Sequence, residues 1–272
     1  MWIGPGLRSA FVAPTVTAPD GAAIAYDTQG QGPDLVLVHG ITESRRAWDP
    51  LLPRLTGSWR VVRVDLRGHG ESERRPSYEA DTMAGDLRAV VDALALDAPL
   101  MVGHSLGGAM VSMYAGLGHP ARAVVDVDQP LELAGFKDLV AGIRPMLEGD
   151  EAGFRAAMEL VFGMLYGPLP ASERERLAAL AHPEQDVVLG VWRSVLDLPA
   201  EELDALVDVG LAELRVPFLS LHGTDPGPEY TEWLRARVPG AVVEVWPDLG
   251  HYPHLMEPER FVARLAEFDP AR

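Results

Sequence analysis

The segment Gly103-His104-Ser105-Leu106-Gly107-Gly108 sets a serine between two glycines in the pattern G-x-S-x-G. It follows the apolar run Leu100-Met101-Val102 and precedes a helix-like stretch, Ala109–Leu117. That context predicts a sharp strand-to-helix turn with the serine at its apex. Small neighbours at 103 and 107 permit the strained backbone such a turn needs. The hydroxyl then stands at a helix N-terminus, whose dipole favours the negative charge that develops in acyl transfer. A serine hydroxyl is a poor nucleophile until a base takes its proton, so a histidine and a carboxylate must come from elsewhere in the chain.

The elements that would bring them together are legible as an alternation. Leu35–Val38, Val61–Asp65, Leu100–Val102, Ala123–Val127, Phe218–Leu221 and Val242–Trp246 are apolar runs of strand length. Runs without polar alternation suit strands buried on both faces of a parallel sheet. Helical patterns lie between or after them, at about 44–55, 78–96, 106–117, 229–238 and 258–268. Phe11–Thr17 and Ala22–Tyr26, joined at Pro19-Asp20-Gly21, read as an edge hairpin. The whole predicts an α/β fold with a doubly wound sheet. From Leu131 to about Arg215 no strand-like run occurs and amphipathic segments follow one another. This divides the chain into a core, 1–130 and 216–272, and a helical cap, 131–215, within one structural domain.

Composition narrows the chemistry. The chain has 272 residues and a net charge of −17. Such acidity argues against a nucleic-acid or anionic-membrane binder, which needs a basic footprint. There is no cysteine, hence no disulfide, thiolate nucleophile or cysteine-based zinc site. No H-E-x-x-H occurs either, and neither a metal nor a cofactor is expected. Ala98–Ala121 lacks any Asp, Glu, Lys or Arg, but its glycines, histidines and Pro99 fit a buried strand-turn-helix better than a membrane span. The segment MWIGPGLRSAFVAP has no apolar stretch of signal-peptide length, so a cytoplasmic location is expected.

Four segments in order resemble the α/β-hydrolase fold superfamily, and the likeness spans essentially the whole chain. Besides the serine turn, Val38-His39-Gly40-Ile41-Thr42 is similar to the family's oxyanion segment. Asp65-Leu66-Arg67-Gly68-His69-Gly70-Glu71-Ser72 matches its D-x-R-G-x-G-x-S loop, which is structural across the family and argues against a metal at Asp65, His69 and Glu71. Leu249-Gly250-His251 matches the position of the catalytic histidine. The resemblance implies a mostly parallel eight-stranded sheet with the cap after the sixth strand. It implies that Ser105 is the nucleophile and His251 the base. His254 is the competing base, and flexible Gly250 favours His251. The implied oxyanion donors are the backbone N–H groups of Ile41 and Leu106.

The family places its acid after either the sixth or the seventh strand, so Asp128 and Asp225 are both candidates. Asp225 runs directly into Pro226-Gly227-Pro228, a trimmed loop similar to that of members with the acid on the sixth strand, such as haloalkane dehalogenases. Asp128 is therefore preferred, with Asp225 second and Asp126 third. Epoxide hydrolases and haloalkane dehalogenases use an aspartate nucleophile where this chain has Ser105, so their chemistry is disfavoured.

The expected activity is hydrolysis of a carboxylic ester or lactone carrying an apolar or aromatic group. Thr42, Trp48, Leu131, Phe136, Met158, Phe162 and Tyr252 are the candidate substrate contacts. A cofactor-free oxygenase or a C–C bond hydrolase would use the same residues, and perhydrolysis is a variant of the same scaffold. A non-catalytic ligand receptor is the rival of a different class. The partner expected is the small-molecule substrate, with no nucleic acid or membrane; a homodimer is left open.

Overall fold

The computed structural model describes residues 13–272. The Phe11–Val12 start of the expected hairpin and most of the segment read for a leader lie outside the described residues. Eight strands form one sheet: β1 (Thr15–Thr17), β2 (Ala23–Gln29), β3 (Asp34–Val38), β4 (Arg60–Val64), β5 (Leu100–His104), β6 (Ala123–Val127), β7 (Phe218–His222) and β8 (Val242–Val245). Their order is β1-β2-β4-β3-β5-β6-β7-β8. β1 pairs antiparallel with β2 and β2 antiparallel with β4, while β4 through β8 run parallel. The chain goes from β3 out to β4 and then back across to β5. Direction therefore switches beside β3, and ligands of open parallel sheets collect at such a point, outside the C-terminal strand ends.

Alternate residues along the central strands feed two separate cores. Val36, Val38, Val62, Val64, Met101 and Val124 pack under the Ala80–Ala93 and Leu106–Gly116 helices. Leu35, Leu37, Val61, Val102, Val125 and Leu219 face the opposite way, toward Trp48, Leu55, Phe261 and Leu265. Nearly every one of these side chains is fully buried, so a strand slipped by one residue would exchange the two cores.

The loop from Asp65 to Ser72 is held by its own polar atoms. Asp65 accepts the backbone N–H of Arg45 (2.6 Å) and of Glu71 (2.9 Å), and the Ser72 hydroxyl donates to the Asp65 carbonyl at 2.7 Å. Arg67 forms a two-pronged pair with Asp86, both bonds 2.6 Å, with both side chains buried. A fork of this kind satisfies both ions at once and fixes the Ala80–Ala93 helix to the loop.

Six helical segments lie between β6 and β7, running from Ala134 to Leu211. Several of them share a cluster of their own: Val140, Ile143, Leu147, Phe154, Met158, Val161, Val188 and Trp192. Ile41 joins that cluster, and half-buried Leu106 packs against it, so these helices rest directly on the serine turn and the β3 loop. The last segment, Ala200–Leu211, packs on the Leu106–Gly116 helix and contributes Leu211 to the sheet core. Among the described residues no helix is long and apolar enough to cross a membrane.

Candidate active site

Ser105 sits at φ 52°, ψ −125°, between β5 and the Leu106–Gly116 helix. Such a left-handed conformation is costly for a residue with a Cβ and persists only where the surroundings enforce it. They do so here through close backbone approach. A Cβ on Gly103 would stand 2.1 Å from the Gly107 carbonyl oxygen, and one on Gly107 would stand 2.3 Å from that of Val38. The Ser105 N–H donates to the Val127 carbonyl at 2.9 Å, which ties the turn to the end of β6. Helix dipole and free N-terminal amides thus converge on the serine from below.

One step along the sheet, Asp128 follows β6 at φ 53° and its N–H donates to the Leu221 carbonyl at 2.7 Å. Its two carboxylate oxygens have separate donors. The Gly223 N–H reaches Oδ1 at 2.7 Å, and His251 Nδ1 stands 2.7 Å from Oδ2. Burial pushes the Asp128 carboxyl up, but the His251 hydrogen bond and charge, with the Gly223 N–H, outweigh it and hold the group below its ordinary value. An ionised Asp128 accepts the Nδ1 proton, which leaves Nε2 of His251 as the basic nitrogen. His251 is carried by a loop in which Gly250 has φ 62° and donates to the Gly223 carbonyl at 3.2 Å.

The other aspartates have different surroundings. Asp225 is exposed and its Oδ1 accepts the N–H of Gly227 at 2.9 Å, a short local turn. Asp126 is fully buried with no hydrogen-bond partner for either oxygen, beneath the serine helix, where a Cβ on Gly108 would touch it at 2.1 Å. Burial, and then the charge of Asp128, push its carboxyl well above the ordinary range. His254 is buried, and its ring lies 4.8 Å from that of Trp48.

Ser105 and His251 open into one cavity with Gly40, Ile41, Glu43, His104, Phe162, Leu165 and Tyr252. Its volume is about 10 Å³, room for roughly one water molecule. A wider depression of about 470 Å³, lined by Asp150, Glu151, Ala152, Arg155, Ala156 and Glu159, shares none of those residues and belongs to the outer face of a single helix. Of the expected substrate contacts, Phe162 and Tyr252 line the cavity beside Ser105. Thr42 adjoins it, in a left-handed conformation at φ 62°. Trp48 does not line it: the turn after Ser44 rolls it under the sheet, in the core with Leu51, Leu55 and Phe261. Met158 is buried among the inserted helices, Phe136 stands edge-on against Trp192 at 5.4 Å, and Leu131 belongs to the sheet core. Leu165, His104 and Glu43 line the cavity without having been singled out in the sequence. Only Glu43 carried a signal, a carboxylate in an otherwise neutral glycine-containing loop.

Comparison with known proteins places the chain in a family. The sequence profile of the Alpha/beta hydrolase family matches residues 35–264. The chain is an α/β hydrolase. A non-heme haloperoxidase of Rhodococcus erythropolis is 31% identical to this α/β hydrolase over 262 residues, covering 88% of this chain and 92% of the relative. A pimeloyl-[acyl-carrier protein] methyl ester esterase of Photobacterium profundum is 29% identical, over 90% of this chain and 98% of its own. In fold, an esterase from Exiguobacterium antarcticum superimposes with a TM-score of 0.79 at 22% identity, over 94% of this chain and 98% of that one. The family makes it an enzyme.

Proposed function

We propose that this α/β hydrolase cleaves a neutral carboxylic ester or lactone through an acyl-serine intermediate. The observation that carries the reading is the 2.7 Å pairing of His251 Nδ1 with Asp128 Oδ2, with the His251 ring in the same cavity as the strained Ser105. Ser105 Oγ attacks the carbonyl carbon while His251 Nε2 takes its proton. The backbone N–H groups of Ile41 and Leu106 hold the resulting oxyanion. His251 passes the proton to the leaving alcohol, and then activates the water that releases the acid and restores Ser105. Asp128 keeps the imidazole in the useful tautomer throughout.

The cavity supports a neutral substrate. No Arg or Lys lines it, and Glu43 is anionic, so an acyl group bearing a carboxylate would meet a like charge in a dry site. An apolar group fits beside Ile41, Phe162 and Leu165. At about 10 Å³ the cavity admits an acyl group only when Phe162 and Leu165, both on the Glu151–Tyr166 helix, move aside. The helices from 131 to 215 thus act as the cap of the site.

Turnover of a p-nitrophenyl ester series by the wild type and Ser105→Ala is the deciding measurement. Turnover and fluorophosphonate labelling that vanish together in Ser105→Ala support the reading; ester turnover that survives overturns it. Oxygen uptake that needs His251 but not Ser105 would make the chain a cofactor-free oxygenase instead. The haloperoxidase relative favours one further reading on the same intermediate. Hydrogen peroxide in place of water would convert the acyl-serine to a peracid and free serine. Peracid formation from a short carboxylic acid and hydrogen peroxide, lost in Ser105→Ala, tests it.

A further inference from the structure

Glu43 lines the cavity with a carboxylate that the hydrolytic steps above do not use. Its Oε2 accepts the Gly40 N–H at 3.0 Å, while its own N–H donates to the Gly40 carbonyl at 3.3 Å. These two bonds close a tight turn with Ile41 and Thr42 at its tip. Ile41 supplies one of the oxyanion donors assigned above, and Thr42 sits in the left-handed region, so the turn is under strain that something must hold.

The other oxygen, Oε1, accepts the hydroxyl of Tyr252 at 2.8 Å, and Tyr252 is the residue after His251. A third link runs through His104, the residue before Ser105. Its Nδ1 faces Glu43 Oε2 at 3.7 Å, too long for a hydrogen bond. Its Nε2 lies 2.8 Å from the His251 carbonyl oxygen and must carry a proton to donate there. The His104 ring also packs on the rings of His251 and Tyr252, each at 4.6 Å. The convergence is tight: a Cβ on Gly40 would stand 3.2 Å from Glu43 Oε2 and 3.3 Å from both His104 Nδ1 and Ser105 Cβ.

A buried carboxylate is expensive unless it is fully bonded, and Glu43 has no Arg or Lys partner among the described residues. Burial would push it up, yet the facing His104 and the Tyr252 hydroxyl outweigh this and hold it at about 2, so it is ionised.

We propose that Glu43 is a positioning residue, whose buried carboxylate locks the oxyanion turn, the nucleophile turn and the base loop into one unit. The proposal rests on the acyl-serine reading above. It acts through Ile41 and His251 rather than on the substrate, so its removal slows chemistry and leaves ground-state binding alone.

The experiment compares wild type, Glu43→Ala, Glu43→Gln and Tyr252→Phe on p-nitrophenyl acetate. Active sites are counted by fluorophosphonate titration, and phenylboronic acid serves as the probe of the oxyanion site. In Glu43→Ala, kcat per titrated site falls about 10²-fold, the size of losing an oxyanion donor, with KM nearly unchanged. Boronate affinity falls by a similar factor. Glu43→Gln, whose amide oxygen can accept from Gly40 and whose NH₂ can donate to the Tyr252 oxygen, recovers most of the loss. Tyr252→Phe shows a smaller drop of the same kind. Unchanged kcat per titrated site in Glu43→Ala, or a change in KM alone, overturns the proposal. Should Glu43→Ala fail to fold, wild-type kcat and boronate affinity in Tyr252→Phe overturn it as well. A wild type that neither turns over the ester nor reacts with fluorophosphonate brings down the acyl-serine reading itself.

Discussion

His251 Nδ1 and Asp128 Oδ2 lie 2.7 Å apart across 123 residues of chain, and strand β7 runs between the elements that carry them. The pair is reached by a backbone device on one side and a loop on the other. Asp128 leaves β6 at positive φ, which lifts its carboxylate beyond the strand end, and the Gly250 turn brings the imidazole over β7 to meet it.

Asp128→Asn should keep the fold and lower kcat by about 10³–10⁴, because an amide at that place favours the wrong tautomer of His251. Asp225→Asn, altering only an exposed turn, should stay within about twofold of wild type. Steady-state kinetics on one ester decide between them, and the reverse ranking would move the acid to β7.

Asp126 gives stability an unusual pH dependence. Its folded pKa lies well above the ordinary 3.8, so its favourable contribution is full below about pH 3.8 and is lost as pH rises toward the folded value. Asp126→Asn keeps the shape without the proton to lose. Its melting temperature should exceed that of wild type at pH 8 and converge with it near pH 4. A constant difference across that range would show that Asp126 is ionised in the folded protein.

Gly107→Ala forces a methyl to within 2.3 Å of the Val38 carbonyl oxygen, where backbone meets backbone. Overpacking of this sort costs about 1–3 kcal/mol. Calorimetry should show a melting temperature lower by several degrees, at roughly 2–4 °C per kcal/mol for a chain of this size. Fluorophosphonate labelling of Ser105 should slow in parallel, since the turn itself must shift.

Phe162→Ala and Leu165→Ala each remove cavity wall without touching the hydrolytic residues. The ratio of kcat/KM for hexanoate over acetate esters should rise about tenfold in either variant, in line with pocket discrimination of a few kcal/mol at most. An unchanged ratio would place the acyl group elsewhere.

Much of this architecture is legible in the sequence because buried parallel strands leave a coarse signal. The expected runs for β3 to β8 lie within about two residues of the observed strands, each bounded by turn residues. The helix expected at 44–55 is instead a 3₁₀ segment, Arg45–Leu51, followed by a single α turn, with Pro50 and Pro53 breaking the longer pattern. Ser105 and His251 stand out through local context. The acid is harder to read, because Asp126 and Asp128 stand two residues apart in one apolar run, and nothing local shows that the strand ends at Val127, opposite His104, with Asp128 turned out of it at φ 53°. The lone carboxylate of Glu43 is visible in its loop, but its role is not, since beyond Gly40 of the same loop its partners are His104 at the end of β5 and Tyr252 beside His251, which only the folded sheet brings together. Trp48 looked like a pocket aromatic for the same reason: an apolar side chain near the β3 loop carries no label for which side of the sheet it faces.

The chain leaving strand β7 touches the Asp128 carboxylate through its backbone, by the N–H of Gly223, the residue after the strand. The residues after it, from Thr224 to Glu229, are largely exposed, and the Asp225 carboxylate among them accepts the Gly227 N–H while His251 pairs with Asp128. This releases for engineering a stretch that enzymes with their acid on that loop must protect. A linker, epitope or tag spliced beside Gly227 should therefore leave ester turnover intact. The protein thus offers a ready attachment point for immobilisation or fusion.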